Sequence, residues 1–109
     1  MQSADKLAKL AALARLVFER EALKLAKVDR QIADLRAGHA KEPALPTTEE
    51  TGSILALSQG AKWQDWARVR RAEHLQDLAR LQAERAPIAA GATRAFGRWQ
   101  VLERLKDQA

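Results

Sequence analysis

Few side chains in this chain are of a type that does chemistry. His39 and His74 are its histidines, and His74 stands beside Glu73. A single imidazole next to a carboxylate on a mixed helix face reads as a surface or seam residue. With no Cys and no second His at ligand spacing, a thiolate or imidazole metal site has no framework. The carboxylates Glu49 and Glu50 fall in a segment rich in Pro, Thr and Gly, and read as solvated. GATRAFG, Gly91 to Gly97, lacks the Lys-Ser/Thr ending of a phosphate loop and follows no strand signal. No catalytic residue, metal site or cofactor is expected, and the chain reads as no enzyme.

The side chains that remain are suited to recognition. Trp63, Trp66 and Trp99 are interleaved with arginines, and Trp and Arg are the types enriched at protein-interface hot spots. Trp63 and Trp66 share a helix face, with Arg70 a turn further along it. Filling of the chain's own seam by these aromatics is one reading, and stacking on single-stranded nucleic acid is another. The one compact basic cluster is Arg68, Arg70 and Arg71. Acidic residues interspersed almost everywhere argue against nucleic acid despite a net charge of +5, because such binders concentrate their excess on one face or tail.

The elements that would carry these residues are helices. Ala, Leu, Glu, Lys and Arg dominate, and β-branched residues are few. Between Ala4 and Leu35 a heptad frame places Ala4, Ala11, Phe18, Leu25 and Ile32 at one core position. Leu7, Ala14, Glu21, Val28 and Leu35 take the other. Only Glu21 departs from apolar character, which over four heptads is a coiled-coil seam. The predicted first helix spans about 3–37, with Ser3 as N-cap, Asp5 in the first turn and Gly38 as the stop. Leu13, Leu16 and Leu23 lie off the seam, and Leu10 and Val17 flank it. A helix this apolar all round needs more than one neighbour.

Residues 38–53 read as the connector, broken by Pro43, Pro46 and Gly52, with Thr47 and Glu50 fitting a capping box. The second helix is expected over about 54–86 and, kinked at Pro87, on through 88–106. Leu78 and Leu81 start a frame that continues through Ile88, Ala92, Ala95, Trp99 and Leu102, with Arg85 the exception. Upstream the apolar bulk moves to Trp63, Trp66, Val69 and Leu75, as at a stutter. The expected fold is all-α: a long antiparallel two-helix coiled-coil hairpin, its second helix kinked near Pro87 and overhanging. With Leu35 opposite Trp63, everything beyond about Ala95 lacks a partner strand of helix. A fold-back of 88–106 onto Leu13, Leu16 and Leu23 as a third helix is the alternative.

No run reaches the ~18 to 20 apolar residues of a membrane span. The first stretch carries Lys6, Lys9 and Arg15 where a secretory signal would be apolar.

The Leu/Ala/Arg-rich first helix KLAKLAALARLVFEREALKLAKVDRQIADLRA and the later FGRWQVLERLKDQA resemble the FliJ/YscO family of flagellar and type III export stalk proteins. That resemblance implies a non-enzymatic stalk like the central shaft of rotary ATP synthases. Its partners would be an export ATPase ring, the export gate and substrate chaperones. Its location would be cytoplasmic, peripheral at the inner membrane. The expected docking residues are Leu7, Leu10, Leu13, Leu16, Phe96, Trp99 and Leu102 at one end, with Trp63, Trp66 and Arg70. A helical chaperone or adaptor for another protein's helix and a basic nucleic-acid binder are the rival classes. Self-association is a further possibility for so apolar a rod.

Overall fold

The computed structural model of the chain describes residues 2–41 and 54–109, the side chains of the second stretch from Gln59 onward. Its elements are two α-helices, α1 (Gln2–Ala40) and α2 (Ile54–Gln108). They pack along one another as an antiparallel hairpin 86 Å long and 19 by 15 Å across. A 55-residue helix is about 82 Å long at 1.5 Å per residue, so α2 alone sets the length of the rod.

Every seam position of α1 expected from the heptad frame is buried or half-buried, Glu21 included, and the positions between them face solvent apart from Ala22. The seam runs one step further, to His39, because α1 continues through Gly38 to Ala40. Gly38 does not end the helix, since none of the described glycines has positive φ. Ser3 lies inside the first turn rather than capping it. On α2 the frame from His74 to Trp99 also holds. Pro87, Gly91 and Gly97 stay within the helix. At Pro87 one ladder hydrogen bond is lost, and packing against α1 on both sides of it holds the chain helical.

The register differs from the expected one. Asp29 meets Arg85 at 2.6 Å, and the rings of His39 and His74 stack with centroids 4.0 Å apart. Phe18 lies 5.3 Å from Phe96 and 5.6 Å from Trp99, centroid to centroid. Leu35 therefore lies level with residues near 78, not with Trp63, and the last turns of α2 run beside Leu7. Residues 88–106 do not overhang: they are the best-paired part of α2. The overhang exists at the other end, where α2 from Ile54 to about residue 72 runs roughly 30 Å past the end of α1. The connector's expected features at Pro43, Pro46, Thr47, Glu49, Glu50 and Gly52 lie outside the described residues.

The upstream drift of the α2 seam is smaller than expected. Trp63 and Ala67 are half-buried, but Trp66, Val69 and Leu75 are 42%, 55% and 56% exposed. Residues 88–106 do not fold back as a third helix but continue α2, and Leu13, Leu16 and Leu23 remain 59%, 61% and 72% exposed.

Among the described residues the buried side chains are small or β-branched: Ala11, Val28, Ile32, Ala92 and Ala95. Alanines at Ala11, Ala92 and Ala95 let the backbones approach, and the aromatic cluster fills the space that they leave around Phe18. Truncating Phe or Trp in a closed core costs about 3–5 kcal/mol. For half-buried Trp99 and Phe18 we expect Trp99→Ala and Phe18→Ala to cost about 2–3 kcal/mol each in urea unfolding. Leu13→Ala, on the outer face, should cost under ~0.5 kcal/mol. Equal and negligible losses at all three positions would contradict the pairing.

Candidate protein-docking surfaces

The residues expected to dock a partner fall in two groups at opposite ends of the rod. Trp63 and Trp66 sit on α2 beyond the end of α1, with ring centroids 4.8 Å apart. The Arg70 guanidinium lies 6.0 Å from the Trp66 ring and bonds Glu73 at 3.2 Å. Arg68 reaches Asp65 at 3.6 Å. The basic cluster is thus interleaved with carboxylates of its own helix, which weakens it as a phosphate-binding surface. The indole N–H of Trp63 is buried and finds no hydrogen-bond acceptor among the described residues.

About 54 Å away along α2 lies the second group, and here the side chains divide by face. Leu7, Trp99 and Leu102 are half-buried in the seam. Leu7 packs there against α2, and Trp99 and Leu102 pack against α1, which leaves each of them only partly accessible. Phe96 is 39% exposed and its ring rests on Phe18. Leu10, Leu13 and Leu16 are 50%, 59% and 61% exposed and stay available to a partner. Val17 on α1 and Val101 and Leu105 on α2, at 49%, 54% and 44%, join them. The last two were not anticipated, although Arg94, Arg98, Val101 and Leu105 form a heptad row beside the seam frame.

Ionic contacts near this end lie along one side. Arg15 bonds Glu19 at 3.0 Å and its guanidinium stands 5.9 Å from the Trp99 ring. Glu103 accepts from Lys106 at 3.0 Å and from the Trp99 indole N–H at 3.1 Å. The hydrogen bond from Lys106, then that from Trp99, hold the Glu103 carboxyl below the usual carboxylate range, with Arg15 adding a smaller attraction. Asp29 raises the pKa of Arg85 by hydrogen bonding and then by charge.

The histidines meet at the point where α1 ends. Asp34, Leu35, Gly38, Arg70, Glu73 and Asp77 surround them in an open hollow. Rings stacked at an interplanar angle of 13° direct their nitrogen lone pairs side by side rather than towards one point. Among the described residues no three of His, Cys, Asp and Glu are placed to hold a metal ion. No described helix is long and apolar enough to cross a membrane. No protein-family model, curated protein or solved structure matches the chain.

A carboxylate whose pKa is depressed in the folded state stabilises it above the unfolded pKa and loses that contribution as pH falls through the folded value. Glu103→Gln should therefore lower Tm slightly near neutral pH, with the gap to wild type closing below about pH 4. A gap that widens on acidification would contradict the assigned bonds.

Proposed function

We propose that this chain is a non-enzymatic coiled-coil stalk or adaptor of a flagellar or type III protein export apparatus. The observation that carries the reading is the row of leucines on α1. Leu13, Leu16 and Leu23 stay more than half exposed on a rod whose seam is already filled. Full burial of a Leu side chain stabilises by roughly 1.5–3 kcal/mol, so covering this row is a substantial source of binding energy. The elongated hairpin suits a shaft, and the sequence resemblance to export stalk proteins supplies the partner. On this reading the end where residues 4–18 meet 96–106 enters the export ATPase ring. The export gate and substrate chaperones meet the rest of the rod, in the cytoplasm at the inner membrane.

Docking rests on Leu10, Leu13 and Leu16 rather than on Trp99 and Leu102, whose role is to hold the hairpin closed. Mixing the purified chain with the cognate export ATPase tests this. Leu13→Glu and Leu16→Glu should each weaken binding by about tenfold or more without changing helicity by circular dichroism. Absence of any ATPase binding or effect on ATP turnover by the wild-type chain would overturn the export reading.

A further inference from the structure

One face of the hairpin combines exposed apolar side chains with a run of basic ones that have no acidic partner among the described residues. On α1 the positions Lys6, Leu10, Leu13, Val17, Arg20, Lys24 and Lys27 repeat at alternating spacings of four and three. That is a second heptad stripe running parallel to the seam and about a quarter-turn from it. On α2 the stripe Arg94, Arg98, Val101 and Leu105 lies at the same angle from its own seam. Gly91 approaches Glu21, where an added Cβ would stand 3.3 Å from Oε2. Because the helices are antiparallel, this contact places both stripes on the same side of the rod, away from Phe96, Arg15 and Glu103. In the observed register the apolar parts coincide, with Leu13 across from Val101. The basic parts coincide too, with Arg20 across from Arg94.

Charge is sorted between the two sides. Glu19, Asp29 and Glu103 are engaged by Arg15, Arg85 and Lys106 on the far side. On the near side the one acid between the stripes is Glu21, which Lys24 bonds at 3.1 Å. Lys6, Arg20, Lys27, Arg94 and Arg98 are exposed and form no ion pair with any described residue. Beside the groove, Gly97 leaves an open hollow that Arg94, Arg98, Val101 and Leu102 line, with nothing within 4 Å of where its Cβ would be.

We propose that this groove is the seat of a third helix, an acidic amphipathic helix of a partner protein. Its Leu-type residues at heptad spacing lie on Leu10, Leu13, Val17 and Val101. Its Glu or Asp flanks meet the unpaired Lys and Arg rim. The inference rests on reading the rod as a protein-binding adaptor but not on the partner being an export ATPase. A second copy of the chain fits poorly, because it brings the same basic rim to this face. A lipid surface is flat and has no use for a groove with a hollow at Gly97, whereas a helix of side-chain knobs fills one.

The full chain and a fluorescein-labelled 21-residue helical peptide, with Leu at heptad core positions and Glu at the flanking ones, provide the test. Fluorescence anisotropy should show saturable binding that weakens with added salt. Leu13→Ser and Arg98→Glu should each weaken it about tenfold or more, and Glu19→Gln on the far side by less than about twofold. A peptide with Lys in place of Glu should bind at least about tenfold more weakly. Circular dichroism of each variant checks that the hairpin is intact. The proposal is overturned by equal binding of the Glu and Lys peptides or by no binding of the Glu peptide. It is also overturned if only phosphatidylglycerol vesicles capture the chain, or if sedimentation shows a dimer that Leu13→Ser dissociates while the peptide does not bind. Failure of the ATPase experiment with peptide binding intact would remove the export reading and leave this seat standing.

Discussion

A heptad seam made of Ala and Leu is nearly degenerate along its own axis. Sliding one helix past the other by whole heptads returns apolar residues to apolar residues. Something irregular must therefore select the register, and in this hairpin it is Phe18 lying against Phe96 and Trp99. Three large rings need space, which Ala11, Ala92 and Ala95 provide by bringing the backbones together nearby. Aromatic pairs add about 0.5–1.5 kcal/mol beyond the area they bury, so displacing Phe18 by a heptad gives up more than any Ala–Leu step.

The charged interruptions of the seams, Glu21 and Arg85, fit the same register. Glu21 lies where α2 has Gly91, whose missing side chain makes room for the carboxylate. Arg85 lies beside Asp29 at 2.6 Å. Such an exposed ion pair contributes little stability, ~0–1 kcal/mol. A slipped register, however, would press Glu21 against a side chain and take Arg85 from its partner. The polar residues thus act mainly against the wrong alignments, while the aromatics favour the right one.

The α1 seam was legible from sequence residue by residue, because heptad periodicity and burial are the same signal. His39 was legible too, as the next step of the frame after Ile32, yet ending the helix at Gly38 hid its meeting with His74. Register was not legible. Placing Leu35 opposite Trp63 assumes that a hairpin pairs from its loop outwards. The Phe18 cluster instead pulls α1 towards the far end of α2 and leaves Trp63 and Trp66 beyond α1. The site residues divided for the same reason. Leu13 and Leu16 were correctly set on the outer face of α1, whereas Trp99 and Leu102 became packing residues once α1 reached them. Sorting of charge between the two sides depends on which stripes share a face, and so becomes visible only with the register.

Since register decides which side chains are covered and which remain for a partner, its direct measurement is the most searching one. The chain has no Cys, so paired substitutions can be cross-linked cleanly with a short bismaleimide. Arg36 and Gln82 line one open hollow between the helices. Arg36→Cys with Gln82→Cys should cross-link rapidly within the monomer. Arg36→Cys with Lys62→Cys, about 30 Å away along α2, should not. Efficient linkage of the second pair and none of the first would contradict the register and every surface assigned from it.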